Sequence, residues 1–435
     1  MSAAYPAWWP TDAQLTAAAF ISIPIVASLI GWGTNILAIQ MTFLPLEYIG
    51  FFEDAYRKCG FSLGWQGIIP AAAEKIAGKM VTIITTRLIR VEDVFAKLDA
   101  ARLAKLMRAP MRKSLERVME RVAVEHAHDV WETLPLFARA ELVEKSCELA
   151  EPYIEDIVEE LRVNITGILD LHTLAIEKLL EDKALMNEIF KRCGEAEFRF
   201  IERSGFYFGF LLGVAQAIIW WSLLALRDQL PDPSAMPLWW FLPMAGALCG
   251  YVTNNLALGL IFNPVQRYEC FGCIIHGLFL QRQVEVSEEF AAISSARVIT
   301  PANCWENILF GRGRERMRAI VQRNVTRAID EQVGVLRPMV PLLVGSSNFH
   351  AAKQQAAQLM FDELPSCLQA TYDYTEEAMD MQRTLATAMK ALPSAEFERV
   401  LHPAFEEDEW KLIGVGGLLG LMVGTFQQAF VFQSV

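Results

Sequence analysis

Apolar and polar residues along this chain are patterned on two scales. On the coarse scale, four runs carry no charged residue: Ala13–Leu46, Ser204–Leu226, Pro233–Gln266 and Leu412–Val435. A helix rising about 1.5 Å per residue needs roughly 20 apolar residues to cross about 30 Å of hydrocarbon, and each run is long enough. Almost all the charge lies between the first and second runs and between the third and fourth. On the fine scale, the charged regions carry helical stripes. Ile154, Ile157, Val158 and Leu161 follow an i, i+3, i+4, i+7 spacing, and Met317, Ile320, Val321, Val325, Ala328 and Ile329 form a similar stripe. No sustained two-residue alternation appears. The pattern predicts an all-α integral membrane protein with segments at 13–46, 204–226, 233–266 and 412–435, and helical cytoplasmic domains at 47–203 and 267–411.

The halves also resemble each other. At an offset of 219, Gly31-Trp-Gly-Thr-Asn-Ile-Leu-Ala-Ile-Gln-Met-Thr-Phe-Leu-Pro45 aligns with Gly250-Tyr-Val-Thr-Asn-Asn-Leu-Ala-Leu-Gly-Leu-Ile-Phe-Asn-Pro264, and seven of fifteen positions are identical. Pro24 pairs with Pro243 at the same offset. A weaker match at offset 210 sets Gly67-Ile68-Ile69 against Gly277-Leu278-Phe279 and Arg87-Leu88-Ile89 against Arg297-Val298-Ile299. Each half reads as membrane helix, motif, amphipathic stretch, charged helical domain, membrane helix. Runs one and three point the same way, so the repeat is expected to be parallel, with a pseudo-two-fold axis along the membrane normal.

The motif G-x-x-T-N-x-L-A-[IL] followed by F-x-P, the Gly67–Pro70 stretch and a glycine-rich last helix ending near Gln427 together resemble the bacterial membrane-protein family catalogued as domain of unknown function 445, which includes YheB-like and YjiN-like proteins. The resemblance runs nearly the full chain in order and implies a membrane-anchored helical protein without an assigned activity. The second half departs from it by having Leu280 where Pro70 stands.

Composition sharpens this picture. The chain is 53% apolar, above the 45–50% of an ordinary soluble domain. Its net charge of −12 argues against nucleic acid as a partner. The first run lacks a basic leader and exceeds a signal-peptide core, so it is expected to stay in the protein. Eight irregularly spaced cysteines do not form a disulfide framework and are expected to be mostly reduced. Lysine and arginine are nearly absent from the N-terminal segment, the linker between runs two and three, and the tail, which places both charged regions on the cytoplasmic side of the inner membrane. The pairs Trp8/Trp9, Trp220/Trp221 and Trp239/Trp240 then fall on one membrane face and Trp410 on the other. The basic stretch Glu74–Arg121 can lie on anionic lipid or form a solvated helix face.

Candidate chemistry is sparse. Thr34-Asn35 and Thr253-Asn254 follow Gly31 and Gly250 inside apolar runs closed by Pro45 and Pro264. Such matched, glycine-interrupted sites either bind a substrate or satisfy helix backbone and packing. No Asp, Glu, Lys, Arg or His lies in any run to couple transport to an ion. Cys270 and Cys273 with His276, together with Cys59 in the comparable loop, have a weakly zinc-like spacing, and His126 and His128 flank an alanine on a charged stretch. Gly416, Gly420 and Gly424 recur every four residues, a spacing that brings membrane helices close. No hydrolase, nucleotide-binding or zinc-protease motif occurs, so a non-enzymatic protein without cofactor or metal is expected. It would organise the membrane or handle lipid, with membrane lipids and a second copy or another membrane protein as partners. The alternative is a small transporter or pore using the paired Thr-Asn motifs.

Overall fold

The structure is a computed structural model and describes residues 12–51, 63–230, 232, 238–270, 273–334, 345–401 and 409–430. Over these residues the chain is almost wholly helical. In chain order, α1 (Asp12–Phe43) leads through the hairpin β1 (Ile49–Phe51) and β2 (Leu63–Trp65) into the short α2 (Ile68–Ala71) and α3 (Ala73–Ile83). α4 (Ala100–His126), α5 (Leu136–Asn164), α6 (Lys183–Cys193) and α7 (Glu195–Arg227) follow. Next come α8 (Phe241–Phe262), the hairpin β3 (Tyr268–Cys270) and β4 (Cys273–Ile275), α9 (Leu278–Gln281) and α10 (Gln283–Ile293). The chain continues with α11 (Pro301–Phe310), α12 (Arg314–Val333), α13 (Ser346–Leu368), α14 (Ser394–Leu401) and α15 (Glu409–Phe430). Four of these, α1, α7, α8 and α15, are long and apolar enough to cross a membrane.

The chain divides into two compact units, one made of Met1–Met80, Asp182–Glu289 and Lys390–Val435, the other of Val81–Glu181 and Phe290–Met389. The sequence reading puts one helical domain in each half, at 47–203 and 267–411. Residues 81–181 and 290–389 share a single compact unit, and 47–80 and 182–203 group with the apolar helices. The physical reason is that a two-helix hairpin buries only one face. α4–α5 and α12–α13 cover each other's stripes, α4 packing on α13 and α5 on α12.

In the first unit, α1 packs along α7 and α8 along α15. α1 runs unbroken through Gly31 and α8 through Gly250, so neither segment breaks at its glycine. Large apolar side chains lie exposed on all four helices, among them Ile21, Ile25 and Leu29 on α1, Leu211 and Ile218 on α7, Met244 and Leu248 on α8, and Leu418 and Met422 on α15. An exposed apolar belt of this kind belongs against lipid or protein rather than water. Trp221, Trp239, Trp240 and Trp410 are exposed, but Trp220 faces inward, stacked on Phe241 at 5.3 Å in a cluster with Ile23, Leu224, Leu238 and Leu242. Trp8 and Trp9 lie outside the described residues.

Candidate functional site

Two places collect the unusual features, one in each unit. In the first unit, glycines bring helix backbones into contact. A Cβ at Gly31 would strike the carbonyl oxygen of Gly205, and one at Gly205 would strike the carbonyl of Gly31 and the amide of Asn35. Gly209 and Gly213 continue this seam against Ala27 and Pro24. The other pair is built alike. Gly416 lies on Gly250 and Asn254, Gly420 on Gly246, and Gly424 on Leu242 and Pro243. Gly416, Gly420 and Gly424 therefore all face the backbone of α8 at close approach. The ridge Gly205, Gly209, Gly213 has the same spacing and is equally legible in run two.

The seam lets the asparagines reach across. Asn35 Nδ2 donates to the carbonyl oxygen of Ile201 on α7 at 2.5 Å, and Asn254 Nδ2 donates to that of Leu412 on α15 at 2.9 Å. Both residues are buried, at 1% and 3% exposure. The threonines bond within their own helices, Thr34 Oγ1 donating to Gly31 O at 3.1 Å and Thr253 Oγ1 to Cys249 O at 2.9 Å. Asn35 and Asn254 line one small cavity of about 20 Å³ with Thr42, Phe198 and Leu258. That is room for about one water and far below a ligand pocket of roughly 300–1,000 Å³. The motif prolines are placed alike as well: each follows a cis peptide bond, and the carbonyls of Pro45 and Pro264 accept from Gly67 N and Gly277 N at 2.9 and 3.0 Å.

The zinc-like set lies only partly within the described residues. Cys59 lies outside the described residues, and His276 Nε2 faces the carbonyl of Val265 at 3.2 Å. Cys270 and Cys273 are register partners at the closed end of the β3–β4 hairpin. Among the described residues no group of three metal-binding side chains occurs. His126 bonds to Gln355 and His128 lies beside Glu132. Cys147, Cys193, Cys249, Cys304 and Cys367 are buried free thiols, and burial pushes Cys304 up to about 12, where a thiolate does not form near neutrality.

The second unit holds the larger feature. α4, α5, α12 and α13 surround a cavity of about 390 Å³, lined on α4 from Met107 to His126, on α5 from Ser146 to Leu161, on α12 from Met317 to Gln332 and on α13 from Phe349 to Leu368. At about 1.5 Å per residue these stretches run about 22–28 Å along the helices, so the cavity is long. Pro110, Pro152 and Pro365 stand inside α4, α5 and α13. A proline there removes a helix hydrogen bond and bends the helix, which works against close packing along the axis. The lining is almost entirely apolar and includes five methionines, Met107, Met111, Met119, Met317 and Met360, whose unbranched thioethers adapt to irregular shapes.

Ion pairs fasten the outer faces of this bundle. Arg117 on α4 bonds Glu363 on α13, which also accepts from Ser114 Oγ at 3.0 Å. The Arg117 hydrogen bond holds the Glu363 carboxyl below its ordinary value, outweighing partial burial. Arg323 pairs with Glu160, and Arg327 with Asp156 at 3.5 Å. The stripes on α5 and α12 were legible, but the cavity they border was not. No family model, curated protein or solved structure matches the chain.

Proposed function

We propose that this chain is an integral membrane protein of two parallel repeats whose helical unit holds the acyl chain of a lipid, and that it acts in handling lipid rather than in catalysis. One observation carries the reading: the long apolar cavity of about 390 Å³ between α4, α5, α12 and α13. Its size falls in the ligand-pocket range. Half of a hydrocarbon core of about 30 Å is one chain length, so a cavity of about 22 Å accommodates a single extended chain. Each methylene moved from water into such a lining contributes about 0.8 kcal/mol.

Other features fit. The exposed apolar belt on α1, α7, α8 and α15 supports insertion in the bilayer, and the Lys/Arg distribution supports cytoplasmic placement of the helical unit. The matched hydrogen bonds of Asn35 and Asn254 and the matched glycine seams support the two-repeat organisation suggested by the family resemblance. Those bonds tie up the Thr-Asn motifs in backbone contacts, which favours a packing role over a transport path.

The test is displacement of an environment-sensitive fluorescent fatty-acyl probe from the full chain in amphipol. Wild type is expected to bind the probe, and Ala356→Trp, which fills the lining, to bind at least tenfold more weakly with unchanged helicity. Equal binding by both, or none by wild type, would remove the acyl-chain reading.

A further inference from the structure

The asparagines that close the two helix seams each leave one atom unused. Ile201 O and Leu412 O are carbonyls and can only accept, so each amide turns its nitrogen to the seam and its oxygen away. Asn35 Oδ1 and Asn254 Oδ1 are buried and accept no hydrogen bond from the protein. A buried acceptor in that state carries the full cost of desolvation, and folded proteins seldom leave one so. The two side chains, 1% and 3% exposed, border the same cavity of about 20 Å³.

That cavity is shared between the halves of the chain. Asn35 with Asn254, and Ile39 with Leu258, are matched at the repeat offset of 219, and Ile201 and Leu412 take matching places as the carbonyls that receive the two amides. Thr42, also in the lining, spends its proton on Ala38 O at 2.9 Å and presents only lone pairs. Each unengaged polar atom of the described lining is therefore an acceptor, and the occupant must be a donor. One water meets this condition. It has two protons to give, and it needs only about 10–15 Å³ of room and two to four polar partners. A monovalent cation would also meet oxygens, but among Phe198, Leu258 and Leu412, inside apolar helices where a charge is costly. The geometry points to a site for one structural water, held by Asn35 Oδ1 and Asn254 Oδ1 and joining the α1–α7 pair to the α8–α15 pair. This site is independent of the acyl-chain cavity.

The test is a high-resolution cryo-EM map of the full chain in lipid nanodiscs, recorded once in sodium chloride and once in choline chloride. In both salts one rounded density is expected between the two amides, about 2.7–2.8 Å from each oxygen. It should be lost in Asn35→Leu, which removes one acceptor and fills the gap. Unfolding in mixed micelles gives a second readout. Asn35→Leu and Asn254→Leu together should shift the unfolding equilibrium by at least about threefold less than the product of their separate effects. Density present only in sodium would replace the water by a cation and overturn the proposal. Absence of density in both salts, or effects that multiply in the double variant, would overturn it as well, and the wild-type maps decide if a variant does not fold.

Discussion

The glycine seam makes a prediction whose sign depends on position along one helix. At Gly420 an added Cβ would meet the carbonyl oxygen and carbon of Gly246, backbone atoms of α8 that no rotamer change can move aside. The helices must separate, giving up dispersion contacts along the whole seam from Gly416 to Gly424. Forcing a methyl into a close-packed contact costs about 1–3 kcal/mol. Gly414, on an exposed face of the same helix, has nothing within 4 Å of its added Cβ. There alanine brings only its better helix propensity, worth up to about 1 kcal/mol. Gly420→Ala should therefore destabilise by about 1–2 kcal/mol after that gain is subtracted, while Gly414→Ala should be neutral or stabilising. The assay is SDS-driven unfolding of purified full chain in mixed micelles, followed by far-UV circular dichroism. A Gly420→Ala variant as stable as wild type, or equal losses in the two variants, would mean that the helices do not meet at this seam.

Four further outcomes follow from the same geometry. Arg282 bonds both oxygens of Glu197, at 3.0 and 2.9 Å, and Glu197 is only 4% exposed. Arg282→Met should cost about 3 kcal/mol by stranding a buried carboxylate, and adding Glu197→Leu should recover most of it in the same unfolding assay. Asn35→Leu should cost about 1 kcal/mol, the usual range for a polar contact between membrane helices, and a gain in stability would mean that its bond to Ile201 is not formed. The folded-state value of Glu363 is depressed, so its contribution is complete above the unfolded glutamate value and lost as pH falls through the lower folded one. Glu363→Gln should therefore flatten the acid limb of a melting-temperature profile. Finally, a cysteine placed at exposed Val163 should resist an impermeant maleimide in intact cells and react after lysis, and labelling from outside would reverse the proposed orientation.

Much of the fold was legible because the membrane requirement is written locally. Uncharged runs of sufficient length became α1, α7, α8 and α15, although α7 starts at Glu195, since a helix extends past the uncharged stretch once Glu195 and Arg199 bond each other on its first turn. Gly416, Gly420 and Gly424 were readable as a packing ridge, and Gly205, Gly209 and Gly213 were readable by the same rule. Trp220 shows the limit of reading by residue type. An indole suits a headgroup level, yet whether it faces lipid or Leu242 depends on helix rotation, which neighbouring helices set. The shared bundle was not legible, because pairs such as Arg117 with Glu363 and Tyr153 with Glu331 join residues far apart in the chain. The cavity was even less so. Val321 and Val325 announce a stripe, but whether four stripes meet or leave a gap depends on side-chain volumes summed across all four helices.

A cryo-EM map of the full chain reconstituted in lipid nanodiscs shows directly whether the gap between α4, α5, α12 and α13 holds a lipid tail. A continuous, unbranched density is expected inside the bundle, running from the side of Met317 toward Gln332 and absent in Ala356→Trp. A wild-type map in which the four helices close on one another, or in which the space is empty or filled by the chain's own side chains, would contradict the acyl-chain reading.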